Sequence, residues 1–139
     1  MIEMVIVTPV LLLLVLGVSE LGHAFIQQNT LNKSVRDAAR QVAGLALLGT
    51  TGTVLLTPDL IADARNLVVY GNVGGVGSPR LPALSIGQVS VSDAGNDMVT
   101  VQANYVYTPI VGPVLETFGM GVGPSLEITL RASITMRAL

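Results

Sequence analysis

The chain has no cysteine, no tryptophan and a single histidine, His23. Without cysteine, disulfide scaffolds, thiol catalysis and cysteine-ligated zinc are excluded. His23 has no second histidine with which to hold a metal ion and no serine-histidine triad pattern around it. The sequence therefore predicts a protein that is not an enzyme, with no catalytic residue, no metal site and no cofactor. His23 itself is predicted to lie where an apolar segment, described below, leaves a membrane.

Charge is also scarce. Lys, Arg, Asp and Glu make up 12% of the 139 residues, about half of the ~25% that is usual in soluble domains. The 9 acidic and 7 basic residues give a net charge of −2, which excludes a polybasic surface for nucleic acid or anionic lipid. The acidic cluster over 93–97 lacks the spacing of a calcium loop and predicts a hairpin turn instead. The glycine-rich stretch 71–78 lacks the Gly-Lys-Ser/Thr ending of a phosphate loop.

Half of the residues are hydrophobic, and many lie in an uncharged run from Met4 to Ser19, bounded by Glu3 and Glu20. As a helix this run would span about 24 Å, slightly less than the ~30 Å hydrocarbon core of a bilayer. A signal peptide is disfavoured, because it would need basic residues before the run and a small-residue cleavage site after it. A buried core helix is also disfavoured, because it would need apolar partners on all sides. The pattern favours a membrane anchor that later becomes buried among copies of itself.

Beyond Glu20 the helical pattern continues with apolar residues on one face only. The spacing predicts one helix over residues 1 to about 48, ended by the Gly49–Gly52 segment. The residues of its buried face follow alternating steps of four and three: Leu31, Val35, Ala38, Val42 and Leu45.

Pro9 interrupts the apolar half of this helix, since it lacks a backbone donor and costs ~3 kcal/mol inside a helix in water. Gly17 and Gly22 are further weak points. We expect a bend or a short unwound stretch near Thr8 and Pro9, with a second near Gly17 to Gly22.

The remaining chain predicts a small globular part. Thr57 is placed to cap a helix over 58–70, with Pro58 in its first turn, where the missing donor is harmless. Residues 71–87 are rich in glycine and proline and predict a loop. A period of two then predicts three antiparallel strands, at about 88–92, 98–107 and 126–137. A short helical crossover over Pro109–Phe118 is expected before the last strand.

These elements predict an α+β fold in which the second half of the long helix covers one apolar face of the sheet. Residues 1–24 form the hydrophobic helix, and residues 25–139 form the globular domain. Since a helix of about 48 residues would reach roughly 70 Å, its first half must protrude.

Glu3 is the candidate functional residue of the apolar helix. A carboxylate in hydrocarbon costs at least ~2.5 kcal/mol, and no Lys or Arg precedes Lys33. One interpretation is that Glu3 simply lies among lipid headgroups. The other is that it pairs with an N-terminal amine, its own or that of an adjacent copy, and helps to set the register between subunits.

Several segments together resemble the TadE-like pilins and pseudopilins of the Tad class of type IV pili. Near the N-terminus these are Glu3, the Thr8-Pro9 pair and the leucine-rich run that follows it, Glu20–Gly22 and Val35–Arg40. Near the C-terminus they are Tyr105–Pro109 and Leu126–Arg137. In that family the glutamate corresponding to Glu3 is usually fifth after the cleavage site, whereas here it is third in the chain.

The resemblance implies a structural subunit of an extracellular filament, made as a prepilin, cut by a prepilin peptidase and held in the inner membrane before assembly by a pilus platform. Its partners would be identical copies in a helical homo-oligomer, with no nucleic-acid contact. The alternatives are a membrane-anchored minor pseudopilin and a surface binding protein that never polymerises. The residues expected to mediate assembly are Glu3, Pro9, Leu11, Leu12, Leu13, Leu14, Leu16, Gly17 and Glu20.

Overall fold

The computed structural model describes residues 2–47, 53–110 and 127–138. In this part of the chain a long helix and a short helix pack with a three-stranded antiparallel sheet, so the predicted α+β fold is confirmed. The elements, in chain order, are α1 (Ile2–Leu45), α2 (Pro58–Tyr70), a 3-10 turn (Ile86–Gln88), β1 (Val89–Gly95), β2 (Met98–Val106) and β3 (Thr129–Arg137).

Helix α1 has 44 residues and is therefore about 66 Å long. It runs unbroken through Pro9 and through Gly17 and Gly22, so the unwound stretches predicted there are wrong. Proline removes only one backbone donor, the partner of the Val5 carbonyl, and the hydroxyl of Thr8 makes a separate bond to the carbonyl oxygen of Met4 at 2.6 Å, of a kind that occurs within intact helices. A bend without unwinding stays a prediction.

The carboxyl end of α1 differs from the prediction, because the helix stops at Leu45 rather than near residue 48. Leu47 already forms an isolated antiparallel bridge with Val54, and the amide of Leu55 donates to the carbonyl of Ala46 at 2.9 Å. The chain has thus turned into extended structure at this point. The Gly49–Gly52 segment, predicted to end the helix, lies outside the described residues.

The second half of α1 provides one wall of the hydrophobic core. Four of the five residues predicted for this face are fully buried: Leu31, Val35, Ala38 and Val42. Leu45 is 55% exposed, so its predicted burial is wrong. Ala46 is fully buried in its place, because the helix ends at Leu45 and the chain turns inward.

The sheet has the strand order β1-β2-β3, with both pairs antiparallel. The buried face of β2 carries Val99, Val101, Ala103 and Tyr105. Val101 lies at the centre, paired with Val91 on one side and with Ile134 on the other. Helix α1 packs on this face, as the apolar alternation of the strands predicted.

Strand boundaries depart from the predicted ones. β1 continues to Gly95 instead of ending at residue 92, because the hairpin turn consists of Asn96 and Asp97 alone, with φ of 53° and 60°. Two consecutive positive φ angles are typical of a type I′ turn. β2 ends at Val106 and β3 begins at Thr129, each inside the predicted range. The predicted crossover over 109–118 and the predicted strand start at 126 fall almost wholly outside the described residues.

Helix α2 is held at both ends by capping interactions. The hydroxyl of Thr57 accepts a hydrogen bond from the amide of Leu60 at 3.3 Å, and Pro58 occupies the first turn. Gly71 ends the helix with φ of 79°, and its amide donates to the carbonyl of Leu67. This left-handed conformation is one that glycine adopts without strain.

The loop that follows α2 is tied back to α1 by Arg80. Its Nη1 donates to the hydroxyl of buried Ser34 at 3.1 Å and lies 3.8 Å from the carboxylate of Asp37. Leu81 and Leu84 are buried beside it, and the loop ends in the 3-10 turn rather than running to residue 87. The guanidinium of Arg80 lies directly over Gly71.

Replacing Gly71 with Ala is expected to destabilise the domain by about 1–3 kcal/mol. The positive φ costs ~1–2 kcal/mol for a residue with a Cβ, and the new methyl group would also displace Arg80. Tyrosine fluorescence during urea denaturation in detergent measures this effect on the domain, because all three tyrosines lie beyond residue 69. Gly87→Ala is the matched control, since its Cβ meets open space, and an equal loss in both variants would contradict the explanation.

Candidate functional site

The first part of α1, residues 3–19, is here called the arm. Its apolar side chains have almost no cover within the chain. The most apolar 18-residue window of the helix has a mean hydropathy of 2.4, and only 6% of that window is buried. By length and composition the helix could cross a membrane. Ten large side chains of the arm are 47–72% exposed: Met4, Val5, Ile6, Val7, Val10, Leu11, Leu12, Leu14, Val15 and Val18.

The structure places the residues predicted to mediate assembly in two different environments. Those of the arm, from Glu3 to Gly17, are exposed or half-buried along a helix that projects from the domain. Glu20 is only 4% exposed and packs against its own domain. Glu20, which lies inside the predicted hydrophobic segment 1–24, thus contacts the domain.

Glu3 is exposed on the first turn of α1. Among the described residues it has no ion-pair partner. The N-terminal amine that was expected to pair with it belongs to residue 1, outside the described range. The register hypothesis for Glu3 therefore stays a prediction.

Glu20 joins α1 to the far end of the sheet through two hydrogen bonds to one carboxylate oxygen. The hydroxyl of Tyr107 donates to its Oε1 at 2.8 Å, and the backbone amide of Ile110 donates to the same atom at 2.7 Å. The Tyr107 hydroxyl also lies 3.3 Å from the backbone carbonyl oxygen of Glu20. A buried carboxylate is costly unless its lone pairs are satisfied, and these donors satisfy it at the base of the arm.

Tyr107 titrates abnormally in this environment. Burial, followed by the hydrogen bond to Glu20 and the negative charges of Glu20 and Tyr105, raises the pKa of its hydroxyl far above the ordinary value of 10.0. The hydroxyl therefore stays protonated, and able to donate, wherever the domain is folded near neutral pH.

Polar contacts continue along the same side of α1. Nε2 of His23 lies 2.8 Å from the side-chain nitrogen of Gln27, one turn further along the helix. The imidazole ring also stands 6.0 Å from the ring of Tyr107, inclined at 57°. His23 thus contacts its own domain at the arm's base. The position predicted for it, where the apolar segment leaves a membrane, stays a prediction.

Beside these contacts an apolar groove opens between α1 and β3. Its volume is about 250 Å³, and it is lined by Leu21, Ala24, Phe25, Gln28, Ile128 and Leu130. Among the lining residues that the structure describes, Gln28 is the one polar side chain, and its amide nitrogen already donates to the carbonyl of Arg131 at 2.9 Å. The groove thus extends the apolar surface of the arm onto the domain.

Sequence reasoning missed the partners of Glu20 and the groove. Tyr107 was recognised as an inward-facing strand residue, and Glu20 as the end of the apolar run. Nothing in the linear pattern joined two residues 87 positions apart. The available signal was chemical, since a carboxylate at the end of an apolar run and a tyrosine on the inward face of a predicted strand each need a polar partner if they are buried.

No group of three or more His, Asp or Glu side chains that could hold a metal ion occurs in the part of the chain that the structure describes.

Residues 1–40 match the model of the family described as TadE-like protein. The matched segment contains the whole arm, Glu20 and the first part of the helix face that covers the sheet. The resemblance inferred from the N-terminal residues is thereby confirmed for this segment. No curated protein and no solved structure matches the chain.

Replacing Tyr107 with Phe is expected to lower the free energy of unfolding by about 1–3 kcal/mol, because Glu20 stays buried with one donor lost. The raised pKa adds a pH dependence. The protonated Tyr107 hydroxyl contributes its full stabilisation below the unfolded-state pKa of about 10. This stabilisation is lost as the pH rises above that value, because the unfolded chain then releases the proton more readily than the folded one. The difference between wild type and Y107F in urea denaturation should therefore shrink above pH ~10.

Tyr105→Phe, two residues earlier in β2, is the matched control. Its buried hydroxyl has no hydrogen-bond partner among the described residues, so its removal should be neutral or stabilising. A loss in Y105F as large as that in Y107F would show that the Glu20 contact is not what stabilises this end of the domain.

Proposed function

We propose that this chain, a TadE-like protein of the Tad pilus system by its first 40 residues, is a structural subunit of an extracellular pilus filament. The observation that carries the proposal is the exposure of the arm, whose ten large apolar side chains have no cover in the same chain. In the filament, the arms of identical subunits would pack into a core and the α+β domains would form the shell. The role is structural and requires no catalysis.

The driving force for assembly is the removal of the arm from water or lipid into contact with other arms. Full burial of a large apolar side chain contributes ~1.5–3 kcal/mol relative to water. Ten half-exposed side chains therefore keep the arm out of water by on the order of 10 kcal/mol per subunit. Because lipid tails are as apolar as the arm, transfer from the membrane into the filament is driven by close packing between arms rather than by this gain.

Before assembly the same arm would anchor the subunit in the inner membrane. Its 17 residues span about 26 Å as a helix, close to the ~30 Å hydrocarbon core. Insertion leaves the domain outside the bilayer, since Glu20 and Tyr107 tie the sheet to the end of the arm. A prepilin peptidase and the pilus assembly platform are the partners expected at this stage.

Glu3 supports a head-to-tail polymer of parallel arms. It is the one charged residue of the arm, and the first basic side chain in the chain is Lys33. The N-terminal amine of an adjacent copy is therefore the cation best placed to neutralise it in the core. Identical contacts repeated between neighbours without closure generate an open helical polymer.

Replacing Glu3 with Ala is expected to reduce filament yield at least tenfold while leaving the domain folded, because the carboxylate that sets the register is lost. Electron microscopy of sheared cell-surface material, with the shed protein quantified by immunoblot, measures this yield. Asp59→Ala, which removes an exposed carboxylate from α2, should assemble normally. Normal filaments of E3A would refute the register role.

A chain that lacks residues 1–18 is expected to be a soluble, folded monomer, because the apolar arm is gone and Glu20 is retained. Removal of residues 1–24 should also abolish assembly but cost stability, since the Tyr107 hydroxyl then loses its carboxylate partner. Size-exclusion chromatography and urea denaturation measure these two properties. Polymers formed by the shorter chains would contradict assembly through the arm, and failure of the full chain to form filaments would favour a membrane-anchored minor pseudopilin.

A further inference from the structure

We infer that the groove between α1 and β3 is a socket for the arm of a neighbouring copy, an inference that rests on the proposed filament. The socket is lined by Leu21, Ala24, Phe25, Gln28, Ile128 and Leu130. Filament subunits would then be held by arm-to-domain contacts in addition to arm-to-arm contacts.

The lining of the socket selects an apolar occupant. None of its lining residues that the structure describes is charged, and the amide nitrogen of Gln28 already donates to the carbonyl of Arg131. Its walls remain exposed to an unusual degree for apolar residues, with Phe25 at 67%, Leu21 at 59% and Ile128 at 46%. A charged or polar ligand would find no partner there, whereas apolar side chains would remove these walls from water.

The size of the socket indicates side chains rather than a small molecule. Its ~250 Å³ lies below the ~300–1,000 Å³ typical of ligand pockets. A helix that lies along it would insert residues one turn apart, as ridges fit into grooves. The arm offers such a row in Val7, Leu11, Leu14 and Val18, all 48–63% exposed.

The position of the socket argues against lipid tails as its cover. Phe25 lies six residues beyond Ser19, and therefore about 9 Å beyond the end of the arm along α1. The headgroup layer on each side of the hydrocarbon is only about 5–7 Å thick. When Ser19 lies at the edge of the hydrocarbon, Leu21 thus lies about 3 Å into the headgroup layer and Phe25 beyond that layer, so the outer part of the socket stands above the membrane surface. The uncharged run from Met4 to Ser19 in a second copy is the complementary apolar surface that the chain itself supplies.

The inference predicts a fixed relation between contact and axial offset. For parallel copies, an arm residue placed beside Phe25 implies a shift along the helix axis of about 1.5 Å for each residue of separation. Contact with Val18 would need a shift of about 10 Å, with Leu14 about 16 Å and with Leu11 about 21 Å. One of these offsets should agree with the axial repeat of the filament.

Disulfide cross-linking tests this directly, because the chain has no cysteine of its own. Phe25→Cys is combined, in the full chain, with cysteine at Val7, Leu11, Leu14 or Val18, and sheared filaments are oxidised. Two cysteines seven or more residues apart on one helix cannot bridge within a chain, since their Cα atoms are about 10 Å or more apart. A ladder of multimers on non-reducing gels is expected for at least one pair, and single-cysteine variants can give dimers at most.

Ser133→Cys with the same arm cysteines is the matched control, because Ser133 is exposed and pairs in register with Gln102 on the outer face of the sheet. Ile128→Cys repeats the test from the opposite wall of the socket. Filaments that give no ladder from either wall, or an equal ladder with Ser133→Cys, would overturn the socket and leave the filament proposal intact. Absence of filaments from the unaltered chain would instead refute the proposed function on which the socket rests.

Discussion

The apolar surface of the arm needs a cover that its own chain does not provide. The same helix that carries this surface continues for another 26 residues into the domain, where its inner face is fully buried. One continuous helix therefore has two environments: its own core surrounds one half, and in the proposed function lipid or sister subunits surround the other.

The junction between the halves is secured by polar contacts rather than by apolar packing alone. Glu20 marks the last turn before the domain and accepts hydrogen bonds from the Tyr107 hydroxyl and the Ile110 amide. A carboxylate at this position would be expensive in hydrocarbon, so it opposes deeper insertion of the helix. Its burial against the sheet fixes the direction in which the arm leaves the domain. The proposed assembly into a regular polymer would require such a fixed direction.

The domain is small and depends on α1 for its core. Three strands present one apolar face, and the row from Leu31 to Val42 covers it. Helix α2 closes a second side, and the loop after it is tied to α1 by Arg80 and Ser34. A three-stranded sheet of this size needs such a cover to be stable. The long helix is therefore both the scaffold of the domain and the element proposed for assembly.

Local patterns in the sequence were sufficient for the secondary structure. A charge-free run, a one-sided helical period, the Thr57-Pro58 start and the alternation of the strands each depend on neighbours within a few residues, so α1, α2 and the sheet could be predicted. The exact boundaries of the helices and strands could not be predicted from these patterns. The long helix stops at Leu45, which is therefore exposed, and the hairpin turn consists of Asn96 and Asp97 alone.

Tertiary structure decided what lies far apart in sequence. The Glu20–Tyr107 contact spans 87 positions, and the groove joins residues 21–28 to Ile128 and Leu130. Such pairs depend on the register of the sheet and on its angle to α1, which no local period encodes. The sequence thus determined that an apolar arm precedes an α+β domain, because hydrophobicity is a property of each residue. Only the folded chain determined where that arm leaves the domain and which surface lies beside its base, because both depend on long-range packing.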